Sequence, residues 1–163
     1  MKKFSLTQQK SLFHAKHLLV FLMCVTVTTF FVQSMLPPAV SSAESNAVSD
    51  ILELIIPSDT VVGRFVHSNI RKIGHFLEYG IFGAECAIYI FAFTKRRCLD
   101  FLIAVAIALF VGLIDETIQI FSGRGPQISD VWLDFFGFAC CFAITALSAL
   151  TALKLIKVNK RKN

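Results

Sequence analysis

Three polar side chains stand close together near the end of a long apolar run, in the segment DETIQ. Asp115 and Glu116 are adjacent carboxylates, and Gln119 lies one helical turn further on. A carboxyl group in apolar surroundings is a common general acid or base, and it can equally bind a ligand by accepting hydrogen bonds. Because neighbouring residues on a helix point about 100° apart, at most one of the two carboxylates is expected to be catalytic.

A second polar group stands where another apolar run begins, in the segment RKIGHFLEY. Arg71, His75, Glu78 and Glu85 fall at spacings that place them on one face of a helix. His75 and Glu78 could share a metal ion with a carboxylate of another helix, but one histidine is more typical of a hydrogen-bonded helix residue. The sequence therefore predicts no metal and no cofactor. Glu85, deeper in the run, fits either a proton relay or a neutral hydrogen-bonded acid.

A third polar group follows the DETIQ segment, in SGRGPQISD. Arg124 lies between two glycines in a turn that Pro126 helps to form, and Asp130 and Asp134 lead into the next apolar run. The three groups are thus separated in the sequence by apolar segments. Their chemistry depends on whether those segments bring them together.

The apolar segments are long enough to cross a membrane. Apolar residues make up 55% of the 163 residues, and phenylalanine alone occurs 17 times. Runs of 18 or more apolar residues with few charges are typical of transmembrane helices, and each run here can span the hydrocarbon layer of about 30 Å. We predict an all-α integral membrane protein, an up-down bundle of four transmembrane helices. The predicted spans are 18–36, 73–93, 99–121 and 131–153, within a membrane domain at 18–153, with basic tails at 1–17 and 154–163.

The positive charge is distributed along the chain in a way that predicts its orientation. The net charge is +5, and 12 of the 16 lysines and arginines lie in the two tails and in the segment TKRRC at 94–98. With four spans, these three segments share one side, which the positive-inside rule places in the cytoplasm. We therefore expect a multi-pass membrane protein with both termini in the cytoplasm. This distribution argues against nucleic acid as the partner.

The three polar groups are predicted to lie in one shallow layer of the membrane. With a rise of about 1.5 Å per residue, Glu78 lies about 9 Å inward of Lys72, and Asp115 about 9 Å inward of Phe121. Asp134 lies about 5 Å below the start of the fourth span. A charge within a span costs at least about 2.5–3.5 kcal/mol near the bilayer centre, so such residues usually face the bundle interior. We expect a polar site at the extracytoplasmic end of the bundle.

An alternative is a network of ion pairs that only fixes helix packing. It would join cations and carboxylates of neighbouring segments: Arg71 or Lys72 with Glu78, and Arg124 with Asp115 or Asp130. Seven ionisable groups in one layer, at the mouth of a bundle with a long loop overhead, are more than helix packing usually needs. The whole set therefore favours a site, although any single residue fits either interpretation.

The long outer loop, residues 37–72, is predicted to contain an amphipathic helix. The segment SNAVSDILELIIP has apolar residues at helical spacing, with Ser45 or Ser49 as its cap and Pro57 as its end. It fits a helix on the membrane surface or a lid on the bundle, and the preceding PPAVSSAES is expected to be irregular. The stretch AVSSAES after the first span also resembles a signal-peptide cleavage site, but the apolar run is long for a signal peptide and favours a retained helix.

Four of the five cysteines fall within the predicted spans, and none lies in the outer loops. No structural disulfide or thiolate zinc site is therefore predicted. The adjacent Cys140 and Cys141 are interpreted as small packing residues in apolar surroundings.

Together these segments resemble the VanZ family of bacterial four-helix membrane proteins. The resemblance covers roughly residues 34–137, and Glu78 also falls on a common polar position. Glu85 departs from the apolar residue expected there, so its role is not inferred from the family. The positions that match the family pattern are Arg71, Lys72, His75, Phe76, Tyr79, Asp115, Glu116, Gln119, Arg124, Asp130, Asp134 and Gly137.

The resemblance implies a place in the cell envelope, in the bacterial cytoplasmic membrane, rather than a particular reaction. The family takes its name from resistance to the glycopeptide teicoplanin, and its members extend to a broader envelope role. The first hypothesis is a site that binds an anionic lipid-linked cell-wall precursor or a lipid-tailed glycopeptide. The second is an enzyme acting on such a lipid, with Glu116 or Asp115 as general acid or base and His75 as its partner. A small oligomeric transporter that uses Glu85 is the third. The predicted ligand-binding residues are Arg71, Lys72, His75, Glu78, Tyr79, Asp115, Glu116, Gln119, Arg124, Asp130 and Asp134.

Overall fold

The computed structural model describes residues 6–125 and 127–162, and this part of the chain folds into six α-helices without a strand. Pro126 and the first five residues of the basic tail, which the sequence analysis interpreted, lie outside the described residues. The helices are α1 (Leu6–Ser34), α2 (Pro38–Glu53), α3 (Val61–Ser68), α4 (Ile70–Phe93), α5 (Arg97–Phe121) and α6 (Ile128–Lys162).

Four of these helices, α1, α4, α5 and α6, are long and apolar enough to cross a membrane. Their apolar segments are Gln9–Ser34, Ile70–Phe93, Arg97–Phe121 and Ile128–Ile156. This confirms the predicted all-α architecture with four membrane-spanning helices. The helices continue past the predicted spans, since α1 begins within the predicted tail at 1–17 and α6 continues to Lys162. Lysine and leucine favour helix, so neither tail sequence interrupts it.

The closest packing in the bundle is between α4 and α6, and glycine makes it possible. A Cβ atom added at Gly83 would collide with the backbone carbonyl of Phe138, and one added at Gly137 would collide with the carbonyl of Phe76. Small residues let two membrane helices approach until their backbones touch, where dispersion forces drive association. This contact fixes the distance between α4 and α6 just below His75.

Cys141 belongs to the same interface. A Cβ atom at Gly80 would lie 2.8 Å from the sulfur of Cys141, so the thiol fills the space that the glycine leaves. Cys140 is exposed on the outer face of α6. The interpretation of Cys141 as a small packing residue is therefore confirmed.

The connection between α1 and α4 is more helical than the sequence predicted. The stretch PPAVSSAES, expected to be irregular, forms the first half of α2. Pro38 occupies the first turn, where its fixed φ angle suits a helix and its missing N–H costs nothing. The predicted caps at Ser45 and Ser49 are therefore wrong, and α2 ends at Glu53 before Pro57.

A second helix in this connection, α3, had no counterpart in the prediction. The Thr60 side chain caps its first turn by accepting a hydrogen bond from the backbone N–H of Gly63 at 2.9 Å. Gly63 packs so closely on the carbonyl of Pro57 that a larger side chain would not fit. The helices α2 and α3 both contact α4, and together with the turn after α5 they form what we call the loop end of the bundle.

Candidate functional site

Four buried polar side chains meet at the loop end of the bundle. Asp115 and Asp134 are each 1% exposed, and Glu116 and Gln119 are also buried. The spacing of three and four residues places Asp115, Glu116 and Gln119 on the inward face of α5, while Asp134 lies one to two turns into α6. The predicted polar layer is therefore a buried cluster in which α5 and α6 converge.

Asp115 is the residue that connects the helices. Its Oδ1 accepts a hydrogen bond from the hydroxyl of Ser34 at the end of α1, and its Oδ2 accepts one from the Gln119 amide at 3.1 Å. Ser34 is itself 1% exposed, so this bond lies away from water. A hydrogen bond to a buried carboxylate fixes both partners, because leaving either unsatisfied would cost about 1–3 kcal/mol.

His75 of α4 completes the cluster from the opposite side. Its Nδ1 lies 3.5 Å from Oδ1 of Asp134, a distance at the upper limit for a hydrogen bond, and both atoms lack a hydrogen-bonded partner among the described residues. One ligand atom each from His75, Asp115 and Asp134 lie within 4.8 Å of one another. The sequence analysis grouped Glu78, rather than Asp134, with His75 as possible ligands of a metal ion. Glu78 instead lines a neighbouring cavity.

Glu116 points away from this cluster. Its Oε2 accepts a hydrogen bond from the backbone N–H of Gln127 at 2.9 Å, and its Oε1 accepts one from the Gln119 amide at 3.3 Å. Adjacent carboxylates on one helix therefore diverge, as the helical geometry requires. Glu116 fastens the turn after α5, which makes it a positioning residue, whereas Asp115 faces the cavity.

Two arginines lie above the buried acids. Nη1 of Arg124 donates to the backbone carbonyl of Gln33 at 3.2 Å, and Nη2 of Arg71 donates to the hydroxyl of Ser41 at 3.1 Å. Desolvation lowers the pKa of Arg124, and the nearby charge of Arg71 adds to the effect. An arginine keeps its proton in proteins, so two positive charges stand close together here.

The predicted ion pairs of these arginines are wrong. Within the described part of the chain, the side-chain pairs close enough for a salt bridge are His67 with Glu53 and His75 with Asp134. Neither Arg71 nor Lys72 pairs with Glu78, and Arg124 pairs with neither Asp115 nor Asp130. The alternative in which ion pairs merely fix helix packing therefore loses its expected contacts.

Two cavities open at the loop end. The deep cavity, about 170 Å³, is lined by residues of α1, α2, α4 and α5, including Ser34, Glu78 and Asp115. The mouth cavity, about 530 Å³, lies nearer the turn after α5 and is lined by Lys72, Gln119 and Asp130 among others. Arg71, His75 and Arg124 line both cavities. The cations thus stand where the two cavities meet.

Tyr79 lies beneath the cavities in the core. Its ring stacks on Phe30 with centroids 4.7 Å apart, and the side chain is 0% exposed. The hydroxyl oxygen has no hydrogen-bonded partner among the described residues. A buried phenol usually finds one, so the unpaired Tyr79 hydroxyl is an exception in this core. Tyr79 is a predicted ligand-binding residue, but it is not among the residues that line either cavity.

The first two helices contribute residues that the sequence analysis missed. Gln33 and Ser34 end α1, and Ser41, Glu44 and Ser45 of α2 line the deep cavity. The signal for Gln33 and Ser34 was present, because two adjacent polar residues close an otherwise apolar run. The serines of α2 gave no signal, since their segment did not look helical.

A comparison of the sequence with known protein families found a match. Residues 18–149 match the model of the VanZ/LLP1 family, a range that includes all the predicted site residues. The chain belongs to the VanZ/LLP1 family. No curated protein and no solved structure matches it. The VanZ-like resemblance drawn from its motifs is thereby confirmed, and the chain is a VanZ-like multi-pass membrane protein.

This VanZ-like protein also carries a carboxylate in the middle of its membrane domain. Glu85 accepts a hydrogen bond from the Thr26 hydroxyl at 3.1 Å, and its Oε2 has no partner among the described residues. The neighbouring surface is an apolar groove of about 520 Å³ between α1, α4 and α5, which we call the lateral groove. Glu85 and the loop-end cluster therefore have separate hydrogen-bonded partners.

Proposed function

We propose that this VanZ-like protein acts in the cell envelope by binding an anionic, lipid-linked or lipid-tailed molecule at its loop end. The observation that carries the proposal is a pair of guanidinium groups, those of Arg71 and Arg124. Both line the two cavities, and neither forms a salt bridge with a carboxylate among the described residues. An arginine can bind phosphate or carboxylate through two parallel hydrogen bonds. Nε of Arg124 is buried without a hydrogen-bonded partner among the described residues, so one side of its donor fork is unused.

The polar residues around the arginines suit a head group that carries more than charge. Lys72 adds a third cation at the mouth cavity, and Gln119 and Asp130 offer hydrogen-bonding groups there. Sugar hydroxyls and peptide amides would find partners in these side chains. The combination of cations, carboxylates and amides therefore fits the head group of a cell-wall precursor or a glycopeptide.

The lateral groove supports the lipid part of the proposal. Val27 and Val111 line it, and each lies on the same helix as a residue of the deep cavity. With a rise of about 1.5 Å per residue, Val27 is about 10 Å from Ser34, and Val111 is about 6 Å from Asp115. A molecule whose charged head occupied the loop end could therefore lay its acyl chain along α1 and α5.

The direct test is binding by the purified protein in lipid nanodiscs. A radiolabelled lipid-linked cell-wall precursor should exchange into wild-type protein and saturate, and Arg124→Ala should weaken binding at least about ten-fold, or 1.4 kcal/mol. Arg64→Ala is the matched control, because Arg64 is exposed on α3 and its side chain donates to the carbonyl of Asp59 alone among the described residues. Equal affinity in the two variants would refute the proposed role of Arg124.

Growth assays link the same residue to glycopeptides. A susceptible Gram-positive host expressing wild type should tolerate more teicoplanin than the empty host and no more vancomycin. Arg124→Ala, matched for membrane level by blot, should lose this protection, and Arg64→Ala should retain it. No protection by well-expressed wild type would remove glycopeptide resistance from the proposal and leave the precursor as the ligand.

One observation favours a second candidate, an enzyme acting on such a lipid. His75 and Asp115 both line the deep cavity, within reach of any head group that entered it. Asp115 would then serve as the general acid or base with His75 as its partner, while Glu116 would position the turn. Turnover of the labelled precursor by wild type and its absence in Asp115→Asn would favour the enzyme. Binding without turnover would favour the binding protein.

A further inference from the structure

The cluster formed by His75, Asp115 and Asp134 has the composition of a metal site. One nitrogen and two carboxylate oxygens come from three different helices and lie within 4.8 Å of one another. Zinc bonds to histidine and carboxylate atoms are about 2.1 Å long, so two ligands of a tetrahedral ion stand about 3.4 Å apart. The separation of 3.5 Å between His75 Nδ1 and Asp134 Oδ1 matches this edge. The same separation is long for a direct hydrogen bond.

A second observation, independent of these three side chains, also indicates a ligand. The Tyr79 hydroxyl is fully buried and has no hydrogen-bonded partner among the described residues. A Cβ atom added at Gly112 would lie 3.8 Å from this hydroxyl and 3.8 Å from Oδ2 of Asp134. The Tyr79 hydroxyl and the Asp134 carboxylate therefore both border the space beside Gly112. Both Asp134 oxygens likewise lack hydrogen-bonded partners in the described part of the chain.

Charge favours the same conclusion. Asp115 receives hydrogen bonds from Ser34 and Gln119, but no lysine or arginine forms a salt bridge with either aspartate among the described residues. Two carboxylates without a lysine or arginine partner carry a large desolvation cost in an apolar bundle, and His75 beside Asp134 offsets it only when its ring is protonated. A bound cation would offset this cost. A divalent ion would neutralise both at once.

We infer that His75, Asp115 and Asp134 bind one divalent transition-metal ion of the zinc or manganese class. The deep cavity reaches His75 and Asp115, so the ion has an open side toward the loop end. An oxyanion could bind there, and the Tyr79 hydroxyl could donate to an oxygen on the ion. The inference goes beyond the proposed function and does not rest on it, since the ion would bind whether or not a lipid head group does.

The test measures metal content rather than activity. Protein purified with a histidine-free tag is stripped with chelator, loaded with Zn²⁺ or Mn²⁺, passed through a desalting column and analysed by mass spectrometry of the metals. Wild type should retain one equivalent of at least one of the two ions. Asp134→Asn and His75→Ala should lower affinity by at least about 100-fold, because each removes a ligand.

Two controls separate this site from other metal-binding groups. His14→Ala removes an exposed histidine of α1, and Glu85→Gln removes the carboxylate in the middle of the bundle. Both variants should retain one equivalent. Replacing zinc by Co²⁺ should give a visible absorption band in wild type that Asp134→Asn lacks while it remains helical by circular dichroism, which distinguishes ligand loss from unfolding.

Three results would overturn the inference. The first is wild-type protein that retains neither ion, and the second is equal metal affinity in wild type and Asp134→Asn. The third is loss of bound metal in His14→Ala alone, which would locate the ion at the exposed end of α1. The precursor-binding assay is independent of all three, so the metal site and the proposed function can fail separately.

Discussion

The loop-end cluster and the surroundings of Glu85 each place a carboxylate inside the helix bundle, and they differ in what surrounds it. Asp115 has two hydrogen-bonded partners and shares a cluster with His75 and Asp134, next to a polar cavity. Glu85 has one partner, the Thr26 hydroxyl, and lies near an apolar groove. In this protein, a carboxylate inside the bundle therefore marks a candidate binding site where other polar side chains surround it.

The two regions also differ in how many segments of the chain bring polar side chains together. At the loop end, seven segments contribute to the cavities: the ends of α1, α3 and α5, the beginnings of α4 and α6, the turn after α5, and α2. In the middle of the bundle, apolar side chains separate the helices, and a single hydroxyl reaches Glu85. Under the proposed function the loop end binds the head group, whereas the lateral groove offers mainly apolar contacts.

The largest expected effect comes from the contact that sets the spacing of α4 and α6. Gly137→Ala places a methyl group against the carbonyl of Phe76, which should destabilise the protein by about 2–3 kcal/mol and separate His75 from Asp134. Gly74→Ala is the matched control, because nothing lies within 4 Å of its added Cβ. Thermal unfolding in detergent should show a lower midpoint for Gly137→Ala alone, and equal midpoints would contradict the close packing.

The next effect separates the two adjacent carboxylates. Glu116→Ala leaves the backbone N–H of Gln127 without its acceptor, which should cost about 1–3 kcal/mol and loosen the turn that carries Arg124. Precursor binding should weaken with it. Metal content should stay at one equivalent, because Glu116 is not a member of the cluster. A variant that lost the metal while keeping the turn would show that Glu116, rather than Asp115, faces the cluster.

A matched pair of hydroxyl deletions compares the two carboxylates directly. Ser34→Ala removes the donor to Asp115 and should destabilise by about 1–2 kcal/mol, since both partners are buried. Thr26→Val removes the donor to Glu85 and should cost less than about 1 kcal/mol, as expected for an average hydrogen bond between membrane helices. The comparison requires unfolding midpoints measured in the same detergent. A larger loss in Thr26→Val would reverse the ranking of the two regions.

The smallest expected effect concerns Glu53, whose carboxylate is exposed to solvent. Glu53 accepts hydrogen bonds from the backbone N–H and the hydroxyl of Ser58, each at 3.0 Å, and its Oε2 lies 3.1 Å from Nε2 of His67. These contacts, the backbone bond first, lower the pKa of Glu53. A lowered pKa contributes stability above the ordinary value of about 4.3, and that contribution disappears as the pH falls through the folded value.

Hydrogen exchange tests this pH dependence. The Ser58 amide, corrected for intrinsic rate, should lose protection between about pH 6 and pH 3, while the amides of α5 should keep theirs. In Glu53→Gln, the protection of the Ser58 amide should be the same at about pH 6 and about pH 3. An equally pH-dependent Ser58 amide in that variant would show that Glu53 is not the group that titrates.

The sequence predicted the membrane helices and most of the polar residues that meet at the loop end, because both depend on short-range patterns. Apolar runs of sufficient length define the spans, and the three- and four-residue spacing that placed Asp115 and Gln119 on one face describes the observed helix. The expected divergence of Asp115 and Glu116 follows from the same geometry. Family membership was predictable from the same residues.

The sequence did not predict which of these residues touch. Asp134, rather than Glu78, joins His75, because the rotation of α6 depends on how Gly137 packs against Phe76. The arginines were expected to pair with acids, but the paths of α2 and the turn direct them to serine hydroxyls and a backbone carbonyl instead. Such contacts depend on tertiary packing between segments far apart in the chain, which residue spacing does not record.

The position of α1 has a consequence for how a molecule could reach the site. Its membrane-spanning segment is almost entirely uncovered by the rest of the protein, yet Phe30, Gln33 and Ser34 form one wall of the deep cavity. Lipid tails are as apolar as the side chains they would replace, so polar contacts are what mainly opposes an outward tilt of this helix. Among the described residues these contacts include three hydrogen bonds, which join Thr26 to Glu85, Ser34 to Asp115 and Gln33 to Arg124. Under the proposed function, this wall is the route by which a long-tailed molecule would reach the deep cavity from the bilayer without leaving the membrane.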